Sequence, residues 1–158
     1  MIHLVPHPPA IVIAQSSPYV QDIPGWNGTS WGVSQSDVQK IFPQMRTENS
    51  EKMSGSYDLD GVTCEVLFNF DAGKLSAVNL KYTGERFRTN AYRFSGLLKS
   101  KYGDPTQKHE NLAEAGLVYY EWLLQTTEIR LSMFSANEVA AENWVDINYS
   151  ARKDRNDI

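Results

Sequence analysis

The chain has 158 residues, 41% of them hydrophobic and 11% aromatic, enough for one sizeable core and too apolar for a disordered protein. A net charge of −4 argues against a nucleic-acid partner, and no apolar run reaches the length of a membrane span. The single cysteine, Cys64, excludes an internal disulfide, and with only three histidines the chain lacks the ligand set of a zinc site.

Residues 1–24 are proline-rich and carry His3 and His7. Val12-Ile13-Ala14 before Gln15 satisfies the small-residue rule for signal peptidase, but Lys and Arg are missing ahead of it. The segment reads as a flexible N-terminal arm or as the remnant of an export signal. The prolines prevent a helix, so the i,i+4 spacing of His3 and His7 does not make a designed metal site. Residues 25–150 read as a single α+β domain. Its start, Gly25-Trp26-Asn27-Gly28-Thr29, is turn-rich and matches a glycosylation sequon, as Asn148-Tyr149-Ser150 does. With Tyr19, Trp26 and Trp31 form a candidate aromatic anchor for a protein partner, or a lid on the core.

Ser34 followed by Asp37 predicts a capping box, with Val33 and Val38 as its hydrophobic staple. The helix runs through Ile41 and Phe42 and stops before Pro43, with Val38, Ile41 and Phe42 as its apolar stripe. Residues 44–52 are polar and read as a loop or the start of a strand. Leu59-Asp60-Gly61-Val62 predicts a two-residue hairpin that sets Leu59 against Val62, Tyr57 against Cys64 and Met53 against Phe68. Val62, Cys64, Val66, Phe68 and Phe70 alternate with more polar residues, as a half-buried strand requires. Asp71-Ala72-Gly73 closes a second hairpin. A three-residue loop sets Val66 opposite Val78, whereas a two-residue loop sets it opposite Asn79 and turns the apolar set over. The three-residue form is therefore expected.

Phe87, Ala91, Phe94, Leu98 and Tyr102 recur at helical spacing, and Gly103 and Pro105 predict the stop. Arg86, Arg88, Arg93, Lys99 and Lys101 make this helix basic. Their default reading is a solvated face, with an anionic-partner site at Arg86 and Arg93 as the alternative. Val118, Tyr120, Trp122 and Leu124 alternate in a further strand, and Ile129, Leu131 and Met133 in the next. A loop over Gln125–Glu128 sets Leu124 against Ile129, Trp122 against Leu131 and Tyr120 against Met133. On the outer face it sets Leu123 against Arg130 and Glu121 against Ser132. Ser135 to Asn143 connects to a last strand, Trp144–Ser150, with Val145, Ile147 and Tyr149 on one side. Residues 151–158 form a charged, frayed tail. The predicted fold is α+β, two antiparallel three-stranded meanders with two helices in the order α-β-β-β-α-β-β-β. The helices are expected on one face of a continuous or split sheet.

No nucleophile has a base at convergent positions, and no phosphate-binding glycine loop occurs. Asp58-Leu59-Asp60-Gly61 resembles the start of a calcium loop, but its later ligand positions fall in the alternating strand, so a hairpin turn is preferred. Cys64 lies on an apolar face and reads as a small buried hydrophobe. No catalytic residue, cofactor or metal is expected.

Trp31-Gly32-Val33-Ser34 leading into Asp37-Val38 resembles a motif of small bacterial envelope domains. Lys101-Tyr102-Gly103-Asp104-Pro105 resembles their helix exit, and Trp122 with Thr126, Ile129 and Leu131 a strand pair found in them. The group is the outer-membrane-assembly small-lipoprotein and β-lactamase-inhibitor-like superfamily. The resemblance implies a non-enzymatic α+β module that binds proteins. The element order departs from that superfamily's two helices followed by strands, and Cys64 is not a lipid-anchor cysteine. The expected function is a non-enzymatic protein-binding or structural module of the bacterial cell envelope, periplasmic, acting through a sheet face or through Trp26 and Trp31. The alternatives are a small-ligand carrier with a cleft between sheet and helices, and a cytosolic secretion-chaperone-like adaptor.

Overall fold

The structure, a computed structural model, describes residues 22–111, 117–135 and 143–153. Most of the arm, including His3, His7, Tyr19 and the export motif, lies outside the described residues, as do 136–142 of the long connection and 154–158 of the tail.

Helix α1 spans Gln35–Ile41. Strands β1 (Arg46–Asn49), β2 (Lys52–Leu59), β3 (Val62–Asp71) and β4 (Lys74–Thr83) follow, then helix α2 (Phe87–Tyr102). Strands β5 (Gln107–Asn111), β6 (Leu117–Leu123), β7 (Thr127–Phe134) and β8 (Trp144–Ala151) complete the described elements. The strands form one antiparallel eight-stranded sheet in the order β1-β2-β3-β4-β8-β7-β6-β5.

The α+β class and the antiparallel pairing hold, but the two separate three-stranded meanders do not. The last strand inserts between the halves and joins them. Ile147 lies between Leu80 and Leu131, and Val145 between Tyr82 and Met133. Both are buried, so β8 completes an apolar row that neither half can close alone. Two strands escaped the alternation pattern because they have no buried face. β1 is Arg-Thr-Glu-Asn with all four residues exposed, and Gln107 to Glu110 of β5 are exposed too. They are the sheet's two edges, and their polar sequences suit that position.

The β2–β3 register is as predicted: Leu59 faces Val62, Tyr57 faces Cys64 and Met53 faces Phe68. The β3–β4 register is not. Asp71 pairs with Lys74 across a two-residue turn, Ala72-Gly73, with φ of 48° and 77°. This primed geometry matches the twist of the flanking strands. Ser76 then bulges out, because Phe70 pairs with Leu75 but Asn69 with Ala77. The extra residue restores the apolar face that the short turn would have inverted. Val66 therefore faces Leu80 rather than Val78, and all three are buried. In the β6–β7 pair the register also lies two residues from expectation: Trp122 faces Ile129, Tyr120 faces Leu131 and Glu121 faces Arg130. A shorter loop, drawn in by Leu124 N–H donating to the Thr127 carbonyl at 2.9 Å, causes the shift.

The capping box of α1 is present: Asp37 N–H donates to Ser34 Oγ and Ser34 N–H to Asp37 Oδ2, both at 3.2 Å. The Ser34 hydrogen bonds, backbone first, hold the Asp37 carboxyl below the usual carboxylate range. Val38 and Phe42 are buried, whereas Ile41, expected in the same stripe, is 45% exposed. At this short helix the core is met by the i,i+4 pair alone. In α2 Phe87, Ala91, Phe94 and Leu98 are buried as predicted, and Gly103 caps the helix at φ 76°. Trp122 Nε1 donates to the Gly103 carbonyl at 2.9 Å, fixing the helix exit to β6. The core lies between these helices and one sheet face, with Phe68, Phe94, Trp122 and Ile147 among its fully buried side chains.

Candidate functional site

The four residues singled out in the sequence are not brought together. Trp26 is 5% exposed and packs in the core, its ring centroid 4.9 Å from Tyr57, 5.6 Å from Phe42 and 5.7 Å from Phe68. Trp31 is half-buried, and its indole N–H donates to Thr127 Oγ1 at 2.8 Å. Both belong to a segment strapped over the end of the core. Trp31 N–H donates to the Pro24 carbonyl, and Asp22 accepts from the Thr126 N–H and hydroxyl at 2.9 and 2.7 Å. Arg86 is the N-cap residue of α2 and is exposed. Arg93 pairs with Asp60 at 3.2 Å, both half exposed, where the ion pair adds little stability. Among the described residues no hydrogen bond, ion pair or ring contact joins the tryptophans to the arginines.

A cleft of about 380 Å³ opens instead between α2 and the β5–β7 half of the sheet. Its cause is side-chain size. The helix presents Ala91 and, one turn on, Ser95, where the rest of its buried residues are Phe87, Asn90, Phe94 and Leu98. Opposite them stand the cross-strand neighbours Val118 and Met133, with Leu131 beside them. Small residues facing medium ones leave a gap in an otherwise close-packed layer. Polar groups come from three elements: Tyr92, Ser95 and Lys99 on α2, Glu110 on β5 and Tyr120 on β6.

Tyr120 is pinned as one wall. Its hydroxyl donates to Glu110 Oε1 at 2.8 Å, and the Lys99 ammonium sits 5.5 Å from its ring centroid. Burial first, and then the hydrogen bond and charge of Glu110, push the Tyr120 phenol up to about 12. It is neutral at physiological pH and stays a donor. Ser95 is only 7% exposed, and its hydroxyl, which has no hydrogen-bond partner among the described residues, opens into the cleft. Tyr92, at 79% exposed, stands at the rim. The cleft has the composition of a ligand site, apolar walls with a few convergent polar groups. The pair Ala91 and Ser95, four apart within a stripe of large residues, was the one trace of it in the sequence.

The other face of the sheet is polar and aromatic. Lys81, Asp146, Ser132, Tyr119 and His109 align across β4, β8, β7, β6 and β5. In the next row Asn79, Asn148, Arg130, Glu121 and Gln107 align. The buried Glu121 carboxylate pairs with Arg130, whose guanidinium also lies 5.0 Å over the Tyr119 ring. Burial raises the Asp146 carboxyl above its ordinary range, against the Asn79 hydrogen bond and the charges of Lys81 and Arg130. Trp144 stacks on Phe134 at 5.7 Å and carries the Lys81 ammonium 5.6 Å over its ring.

Among the described residues no three of His, Cys, Asp and Glu converge as metal ligands. Cys64 is buried on the core face, and burial, with the charge of Asp58, pushes its thiol up to about 11, which leaves it inert at neutral pH. His109 stacks on Tyr119 at 4.9 Å, with no nucleophile paired to it among the described residues. Among the described helices none is long and apolar enough to cross a membrane.

No family model matches the chain, and no curated protein does. A solved structure of a DUF4309 family protein from Bacillus subtilis aligns over 84% of this chain and 88% of its own, at 13% identity and a TM-score of 0.45.

Proposed function

We propose that this protein is a non-enzymatic binding module that takes a small, largely apolar molecule in the cleft between α2 and strands β5–β7. One observation carries this reading: the cleft of about 380 Å³ is walled by Ala91, Val118, Leu131 and Met133 and has polar groups only along part of its lining. That volume falls within the range of small-molecule sites, about 300–1,000 Å³. The burial of Trp26 supports it over docking through the aromatic pair. Nuclear magnetic resonance with indole as probe tests the reading. Saturable shifts of the Val118, Leu131 and Met133 methyl groups are expected, and those of Val118 and Leu131 should be lost in a cleft-filling Met133→Trp variant of unchanged fold. Shifts that do not saturate, or that fall elsewhere, refute it.

A second reading, docking of another protein on the outer sheet face, is favoured by Trp144, held between Phe134 and Lys81 on that face. Its test is Trp144→Ala, which should abolish co-purification of a specific partner while leaving thermal stability near that of the parent. The proposed envelope address rests on the motif resemblance at Trp31–Ser34 and Lys101–Pro105. Fractionation of the native cells tests it, and recovery in the cytosol alone overturns it.

A further inference from the structure

We propose that the cleft selects a monocarboxylate with an apolar tail, and that the Lys99 ammonium and the Ser95 hydroxyl hold its head group. The inference rests on the cleft being the binding site, and it adds the charge and chemical class of the ligand. The observation behind it is an excess of hydrogen-bond donors. Lys99 and Ser95 lie one helical turn apart on α2, and both line the cleft. Among the described residues the Lys99 ammonium makes no ion pair and no hydrogen bond; its contact is with the Tyr120 ring. Ser95 is a largely buried residue whose hydroxyl opens into the same cleft and has no hydrogen-bond partner among the described residues. A hydroxyl and an ammonium that face a cleft without protein partners are left for solvent or a ligand to satisfy. Together the two offer one ammonium and one hydroxyl to an acceptor.

The one carboxylate of the lining, Glu110, does not fill that role. It accepts the Tyr120 hydroxyl at 2.8 Å, on the side of the ring edge, while Lys99 stands over the ring. Tyr120 stays protonated and cannot serve as the missing anion. Apart from Tyr92 at the exposed rim, the remaining lining, Ala91, Val118, Leu131 and Met133, has no polar side-chain group, so the body of the ligand is apolar. A carboxylate supplies several acceptor sites, matches both donors, and gains from charge-assisted hydrogen bonding in a partly desolvated site.

Calorimetric titration of the full chain with octanoate, octanol and octylamine tests the inference. The three share a tail and differ in the charge of the head. Octanoate is expected to bind about tenfold or more tighter than octanol, the size of one to two charge-assisted hydrogen bonds, with octylamine weakest. Lys99→Met should weaken octanoate about tenfold and leave octanol unchanged, and Ser95→Ala should weaken octanoate by a few-fold. Lys99 is exposed, so its variant should keep the parent's thermal unfolding. Octanol or octylamine binding as tightly as octanoate, or octanoate indifferent to Lys99→Met, overturns the carboxylate inference and leaves the cleft as a site. If octanoate and octanol both fail to bind and indole gives no saturable shifts, the cleft reading itself falls.

Discussion

Ile147→Ala in the middle strand tests whether the sheet is one cooperative body. Ile147 is 1% exposed and is paired in register with Leu80 on one side and Leu131 on the other. Removing a fully buried Ile side chain costs about 2–5 kcal/mol, depending on how far the surroundings collapse. With ordered neighbours on both flanks collapse is restricted, and a loss of about 4 kcal/mol is expected. For a chain of this size each kcal/mol lowers the melting temperature by about 2–4 °C, so the midpoint should fall by about 12 °C. Hydrogen exchange read by mass spectrometry gives the second measurement. Amides of β3 and of β6 lie in opposite halves, and both should lose protection by the same free energy. If protection falls in β3 while β6 keeps its own, the halves are independent units and the joining role of β8 is wrong. A loss under about 1 kcal/mol would equally contradict the packing argument.

Other outcomes follow from single contacts. Ser34→Ala removes the cap of α1 and should cost about 1 kcal/mol in chemical denaturation. Asp37, held below its ordinary range, contributes stability above about pH 3.9 that is lost as pH falls through its folded value; in Ser34→Ala that acid limb should flatten. Asp146 has the opposite sign: raised in the fold, it contributes stability below about pH 3.9 that is lost as pH rises through its folded value. Asp146→Asn should therefore gain on the parent between acid and neutral pH, and a difference that stays constant across that span contradicts the assignment. Ala72 occupies a left-handed turn position at φ 48°, so Ala72→Asn should raise stability by about 1 kcal/mol in denaturant titration. Arg130→Met leaves the buried Glu121 carboxylate without its cation and should cost about 2 kcal/mol, whereas the double change with Glu121→Gln should recover most of it.

What was legible in the sequence was local. The Ser34 cap, the Gly103 stop, the Asp60-Gly61 turn and the apolar faces of β3 and α2 all depend on neighbours within a few residues. Register was legible only modulo two. Val66 opposite Val78 and Val66 opposite Leu80 bury the same set, so alternation cannot tell them apart. The Ser76 bulge decides one case. In the other, the tight loop closed by Leu124 N–H on the Thr127 carbonyl decides it, and Asp22, far off in sequence, holds the same loop at Thr126. Strand order was hidden for the same reason: β8 pairs with β4 and β7, and its own alternation fits any buried neighbour. The edge strands were hidden because an edge has little apolar pattern to show. The aromatic residues near the arm read equally as an anchor or as a lid, and Trp26 belongs to the core; a large ring in a turn-rich segment carries no sign of which way it folds. A cleft between sheet and helices is compatible with the sequence, but its place is not legible there, since its cause is the smallness of Ala91 and Ser95, and small side chains give no signal of their own.

The central position of β8 has a consequence for biosynthesis. It is the last of the eight described strands to leave the ribosome, yet it must slot between two that emerged earlier. Until it arrives, β4 and β7 each present an unpaired backbone edge, and Leu80 and Leu131 lack their shared neighbour. The sheet therefore closes only once β8 has emerged, with slow closure over long sequence separations and a window in which nascent chains can pair with one another.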